Sequence, residues 1–267
     1  MSNNKFTILD FGKKKKNGEK ISMLTAYDYS MAKLIDAVGI DAVLVGDSVG
    51  MVMLGYDSTI PVTMDEMIHH AKAVKRGLEN AFLIGDMPFM SYQENEEDAV
   101  KNAGRFVKEA GCQAVKLEGG REFASRIETI IAAGIPVIGH IGLTPQSVNK
   151  LGGYKVQGKD DEAAARLVED AIILQDSGCS ALILECVPAA LAGKITEQLK
   201  IPTIGIGAGI HCDGQVLVTH DMIGCFDKFV PKFVKQYANV GKVMTEAVET
   251  FKNEVESGTF PSDEHSF

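Results

Sequence analysis

Ile40-Asp41-Ala42-Val43-Leu44-Val45-Gly46-Asp47 is an apolar run that stops on a polar residue, and four later runs repeat the pattern. They are Phe82-Leu83-Ile84-Gly85-Asp86, Ala114-Val115-Lys116-Leu117-Glu118, Pro136-Val137-Ile138-Gly139-His140 and Ala181-Leu182-Ile183-Leu184-Glu185. Each has the length and apolar content of a buried strand, and each closes on a polar residue that packing does not require. Helix-like stretches lie between them. Buried strands alternating with helices predict a parallel sheet. Polar residues delivered at successive strand C-termini predict a (β/α)8 TIM barrel, because the loops at that end converge on one mouth.

The rest of the chain fits around these runs. Ile8, Leu9 and Phe11, within the first twenty residues, predict a short amphipathic helix and a Lys/Gly turn capping the bottom of the barrel. Strand one is expected at 22–27 and its helix at 29–38, with Met31, Leu34, Ile35 and Val38 on one face. Helices are expected at 64–77, near 94–110, at 121–133 and at 161–177, with another starting at Pro188. Strands seven and eight fall at 202–206 and 215–219, only about ten residues apart, which is too few for a crossover helix. A long helix over 232–255 closes the chain, and with no internal linker residues 1–267 read as a single barrel catalytic domain. Connections 48–62 and 141–159 are longer than packing requires, as functional loops commonly are.

Composition narrows the class. The chain has 267 residues, a common size for one barrel, and 45% of them are apolar. A formal charge of −9 with no basic face argues against nucleic acid and against an anionic membrane surface. Lys13 to Lys16 form the one basic run, read as a solvated helix end. Nothing approaches the ~20 apolar residues of a spanning helix, and no signal peptide is visible. The five cysteines form no C-x-x-C pair and read as reduced thiols of a cytoplasmic protein, with Cys112 and Cys179 as small buried hydrophobes.

The strand ends carry the chemistry. Asp47, Asp86 and Glu118 form an all-oxygen set on successive strands, and acids brought this close repel each other unless a cation joins them. Oxygen ligands without thiolate favour Mg²⁺ or Mn²⁺ over Zn²⁺. For any one Asp the plainer reading is a helix N-cap. Strand alternation puts Val43, Val45 and Asp47 on one face, and Ala114, Lys116 and Glu118 on another that points into the barrel. An internal salt bridge that only stabilises the barrel is the other reading of Lys116 and Glu118. Glu185, after four apolar residues, is a candidate general base whose burial would raise its pKa; a fourth ligand or a structural acid is the alternative. His140 either orients substrate or is a satisfied barrel histidine. His69 and His70 read as surface residues, and His211 and His220 lack metal-ligand spacing. Gly205-Ile206-Gly207-Ala208-Gly209 either cradles phosphate or allows tight turns.

Several of these stretches resemble one family. Met23 to Asp28, Val45 to Gly50, Lys116 to Gly120, Gly139 to Gln146, Gly205 to Gly209 with Asp213-Gly214-Gln215, and Glu264 to Phe267 are similar to motifs of the ketopantoate hydroxymethyltransferase family, across the whole chain. The resemblance implies a (β/α)8 enzyme of pantothenate, hence coenzyme A, synthesis. Such an enzyme moves a hydroxymethyl group from 5,10-methylenetetrahydrofolate to 3-methyl-2-oxobutanoate, giving 2-dehydropantoate, with Mg²⁺. It implies Asp47, Asp86 and Glu118 as metal ligands, Asp47, Ser48, Asp86 and Lys116 as oxoacid contacts, and Glu185 as proton acceptor. It also implies a homo-oligomer, a homodecamer. The competing readings are a Mg²⁺ enzyme of the phosphoenolpyruvate mutase or isocitrate lyase kind, a metal-free aldolase with Lys116 as Schiff-base amine, and a barrel used only for binding.

Overall fold

Eight strands pair in parallel in chain order and the last returns to the first, so the sheet closes into a barrel. They are β1 (Ile21–Thr25), β2 (Ala42–Val45), β3 (Phe82–Asp86), β4 (Ala114–Glu118), β5 (Val137–Gly142), β6 (Ala181–Glu185), β7 (Thr203–Ile206) and β8 (Gly214–Leu217). The structure is a computed structural model that describes residues 5–226 and 230–267. Contacts divide the chain into two compact units, Met1–Val218 and Thr219–Phe267. The first holds the whole barrel, with helices α1 (Ile8–Asn17), α2 (Tyr29–Ala37), α3 (Val49–Val52), α4 (Met64–Gly77), α5 (Glu96–Ala110), α6 (Ala124–Ala132), α7 (Val148–Leu151), α8 (Asp161–Asp176) and α9 (Ala189–Gln198). The second holds α10 (Thr219–Met222) and α11 (Val240–Ser257).

Two apolar layers follow from strand alternation. Met23, Leu44, Ile84, Ile138, Ile183 and Ile204 fill the barrel interior, while Val43, Val45, Leu83, Val115, Leu117 and Leu182 pack outward under the helices. Gly85 lets α5 approach β3, since a Cβ there would lie 2.3 Å from the Phe106 ring. Burial of these side chains at roughly 25 cal/mol per Å² is the main force holding the barrel.

The expected N-terminal cap is present, although residues 1–4 of that stretch lie outside the described residues. Phe11 of α1 is fully buried and meets Phe82 edge-on, with ring centroids 5.4 Å apart, so the helix stoppers the end of the barrel opposite the acid-bearing strand ends. The lysine run is not simply solvated, which corrects the sequence reading. Lys14 Nζ pairs with Asp41 at 2.6 Å and Lys15 Nζ with Asp213 at 2.7 Å. Asp41 also accepts the Ser22 N–H at 2.8 Å, and Asp213 the Thr203 N–H at 2.9 Å. Two half-buried ion pairs thus tie α1 to the entries of β2 and β8.

Other differences have local causes. In α2 the buried face carries Ala32, Ile35 and Asp36, whereas Leu34 and Val38 are exposed. Asp36 turns inward because its carboxylate accepts the N–H groups of Glu79, Asn80 and Ala81, and that rotates the helix away from the expected stripe. The closing helix begins at Val240 rather than 232, where Asn239 caps it by accepting the Lys242 N–H at 3.1 Å. No helix separates β7 from β8, as their spacing required, and only two residue pairs join them. No described helix is long and apolar enough to cross a membrane.

Candidate active site

Asp86 closes β3, and Lys116 and Glu118 end β4 on the same inward parity as Ile84 and Ala114. Asp47 arrives differently. Its alternation partners Val43 and Val45 face the helices, so a continued strand would carry Asp47 outward. Instead β2 stops at Val45, and the Gly46–Asp47 turn folds over the mouth, where the Asp47 N–H donates to Asp86 Oδ2 at 3.1 Å. Neither acid caps a helix, although Asp28 and Asp160 do. The N-cap reading therefore fails where it mattered.

Lys116 lies among the acids. Its Nζ donates to Asp86 Oδ1 at 2.7 Å and to Glu118 Oε1 at 3.3 Å, with all three side chains at most 4% exposed. The internal salt bridge is real in geometry, but three acids around one ammonium exceed what a bridge needs. Glu185 ends β6 and keeps 16% of its side chain exposed, less buried than its apolar run suggested. His140 stands between the two glutamates, with Nδ1 3.4 Å from Glu118 and Nε2 3.3 Å from Glu185, although neither approach is aligned as a hydrogen bond. Gly142 seats Glu185: its φ is +97°, and a Cβ there would fall 2.2 Å from the Glu185 carbonyl oxygen. Ser48 Oγ lies 2.8 Å from the Tyr27 hydroxyl.

Charge is out of balance in this cluster. Burial, reinforced by Asp86 and Glu118, pushes the Asp47 carboxyl well above the carboxylate range. Burial works upward on Glu118 too, yet Lys116, His140 and the Gln146 N–H outweigh it and hold that carboxyl at about 2. Burial pulls Lys116 down, but Asp86, Glu118 and Asp47 hold it above its ordinary value, so its ammonium persists. Burial and Lys116 pull His140 down, and the two glutamates more than reverse this, to about 9. Four carboxyl groups thus face two cationic side chains, and the imbalance shows in the upward push on the Asp47 carboxyl.

A hard divalent cation fits this imbalance in charge and in donor type. Among the described residues, no three His, Cys, Asp or Glu side chains already stand as a closed metal-binding group. Lys116 draws Asp86 and Glu118 onto itself. Mg²⁺ is ordinarily held through one or two carboxylates with water and substrate oxygens completing its shell, and the acids here meet that requirement.

Sequence reading missed Gln146, Tyr92 and Tyr27, which the structure brings to the acids or to Ser48. The unusual length of the connection 141–159 was the available signal for Gln146. His70 is not merely a surface residue, because its Nδ1 lies 2.7 Å from the Tyr27 carbonyl oxygen. The glycines in and after β7 answer to packing: a Cβ on Gly205 would lie 3.0 Å from Cys212 Sγ, and on Gly209 2.4 Å from the Ala189 Cβ. Cys112 and Cys179 are buried, and burial lifts both thiols to about 12, consistent with inert small hydrophobes.

A sequence model of ketopantoate hydroxymethyltransferase matches residues 5–263. The 3-methyl-2-oxobutanoate hydroxymethyltransferase of Syntrophus aciditrophicus is 60% identical over 95% of this chain and 93% of that protein. The protein of the same name from Clostridium botulinum is 58% identical over 98% of this chain and 96% of its own length. Among solved structures, a putative phosphonomutase from Burkholderia cenocepacia superposes with a TM-score of 0.65 at 14% identity, covering 80% of this chain and 93% of its own. A phosphonopyruvate hydrolase solved with oxalate and Mg²⁺ gives 0.62 at 13% identity, over 97% and 92%. These structural likenesses establish the fold.

Proposed function

This chain belongs to the ketopantoate hydroxymethyltransferase family of transferase enzymes, and we propose that it makes 2-dehydropantoate from 3-methyl-2-oxobutanoate and 5,10-methylenetetrahydrofolate. The observation that carries the reading is the buried cluster of Asp47, Asp86, Glu118 and Lys116 with Glu185 beyond His140. It combines charge control for an anionic oxoacid with a separate carboxylate able to take a proton.

Asp47, Asp86 and Glu118 would hold Mg²⁺, with Asp47, Ser48, Asp86 and Lys116 contacting the oxoacid. Bound there, the ion would supply Lewis-acid polarisation of the keto group. Lys116 stays protonated between its acids, offsets the substrate's negative charge, and is for that reason a poor Schiff-base nucleophile. Glu185 removes the proton from C3, and the carbanion forms a C–C bond to the folate-borne carbon. The two C–N bonds of that carbon break, water supplies the new hydroxyl and one proton, the C3 proton supplies the other, and tetrahydrofolate leaves. His140 separates Glu185 from Glu118, so that the base does not confront the ligand acid directly. The setting we infer is a cytoplasmic homo-oligomer, a homodecamer as in the family, acting in pantothenate and coenzyme A synthesis, with one catalytic domain.

The test is direct. Protein incubated with 3-methyl-2-oxobutanoate and methylenetetrahydrofolate should form 2-dehydropantoate, and a chelator should stop it. Consumption of the oxoacid without folate would instead support a lyase or mutase, and turnover that survives chelation would support the aldolase.

A further inference from the structure

Gln146 is 4% exposed, and its amide and its backbone N–H are all engaged at the site. Its Nε2 donates to Asp47 Oδ2 at 2.9 Å and to the Met87 carbonyl at 2.9 Å. Its Oε1 accepts from the Tyr92 hydroxyl at 2.9 Å and from Gln93 Nε2 at 3.2 Å. Its backbone N–H donates to Glu118 Oε2 at 3.0 Å. One residue after β5 therefore grips the acid after β2, the chain leaving β3 and the acid ending β4.

The amide has only one workable orientation. Turned over, its oxygen would face the Asp47 carboxylate and the Met87 carbonyl, three acceptors with no hydrogen among them. Tyr92 guards against that turn. Its hydroxyl accepts the Glu118 N–H at 3.1 Å and lies 2.9 Å from both the Glu118 carbonyl oxygen and Gln146 Oε1. The ring is wedged edge-on against Phe123 at 5.2 Å.

The residue type matters as much as the contacts. A lysine or arginine could hold Asp47 in the same place, but its charge would cancel that of the carboxylate. An amide donates without cancelling anything. Asp47 is thereby oriented and still free to attract a cation, while Lys116 serves Asp86 and Glu118.

We propose that Gln146 is a positioning residue for the reaction, its side-chain amide aiming Asp47 and its backbone N–H aiming Glu118 so that both meet the divalent ion and the oxoacid. The assignment rests on the metal-assisted reading above. Partners of this kind, one step behind the ligands, typically govern about 10–100-fold in metal affinity or activity.

The test uses Gln146→Met, which keeps shape and removes the amide, and Tyr92→Phe, which leaves the amide but frees it to turn. Two readouts are taken below the thermal transition of each protein. The first is Mg²⁺ affinity by calorimetry on chelator-treated protein. The second is deuterium exchange at C3 of 3-methyl-2-oxobutanoate without folate, resolved into kcat and KM. In Gln146→Met, Mg²⁺ affinity should fall about 10–100-fold and exchange kcat by a similar factor. Tyr92→Phe should shift both in the same direction by less, and it decides the matter if Gln146→Met does not fold. Wild-type Mg²⁺ affinity and exchange kcat in a folded variant, even with a lowered melting temperature, would reduce Gln146 to a packing role and overturn the proposal. A wild-type protein that neither binds Mg²⁺ nor exchanges C3 would overturn the proposed function itself, a result separable from any variant effect.

Discussion

Replacing Lys116 by methionine keeps an unbranched side chain of similar length and removes the ammonium from among three buried acids. Glu118 gives a scale for the cost. It is held at about 2 against an ordinary 4.5, chiefly by Lys116 once the opposing effect of burial is overcome. At about 1.4 kcal/mol per unit this corresponds to roughly 3 kcal/mol. Asp86 and Asp47 lose the same counter-charge, so the total should reach the ~3–5 kcal/mol expected when one partner is taken from a buried pair. The contribution of Glu118 to the pH dependence should also change sign. In the wild type the Glu118 contribution is complete above its unfolded value and is lost as pH falls toward about 2. In Lys116→Met the uncompensated carboxyls bind protons more tightly in the folded state, so the variant should gain stability as pH falls from 7 to 5. Mg²⁺ should stabilise the variant more than the wild type, because the ion replaces the missing positive charge. The assay is urea unfolding of chelated protein at several pH values, repeated with Mg²⁺. A variant within about 1 kcal/mol of wild type at pH 7, with the same pH slope, would refute the account of the cluster as charge-strained.

Three further outcomes are expected. Glu185→Gln should bind Mg²⁺ and oxoacid normally yet lose C3 exchange by ~10²–10⁴-fold, as measured by NMR in deuterated water. Gly142→Ala places a Cβ 2.2 Å from the Glu185 carbonyl oxygen at a φ of +97°, so it should displace the base and lower exchange kcat by about 10²-fold, with oxoacid binding by calorimetry less affected. Asp41→Ala removes the acceptor shared by Lys14 and Ser22 at the far end of the barrel, and should cost about 1–3 kcal/mol in calorimetric stability while kcat at 25 °C stays at the wild-type value.

Most of the barrel was legible because buried parallel strands must be apolar runs, and the functional residues interrupt those runs at their ends. Asp86, Lys116, Glu118, His140 and Glu185 came to the mouth for that reason alone. Asp47 came there for another reason, a chain reversal after Val45 that alternation does not encode. Beyond the length of its loop, Gln146 gave no sign of its role, because that role depends on four partners brought from elsewhere in the chain, and an isolated glutamine carries no periodic signal. The same holds for Lys14 and Lys15, whose partners are distant in sequence, so a basic run looked like a wet helix end. In α2 the apolar spacing named a stripe, but the buried hydrogen bonds of Asp36 chose a neighbouring one.

The ties made by α1 set an order of events in the cell. Lys15 meets Asp213 across a separation of 198 residues, and β1 has β8 as its second neighbour. At the usual ~5–20 residues per second, a ribosome needs on the order of 10–40 s to supply that partner after α1 has emerged. Until then the growing sheet is an open crescent whose first strand exposes an unpaired, apolar margin, the kind of edge that recruits other chains. Production of this enzyme should therefore be sensitive to translation speed and to holdase chaperones in a way that the closed barrel, which has no edge left, does not reveal.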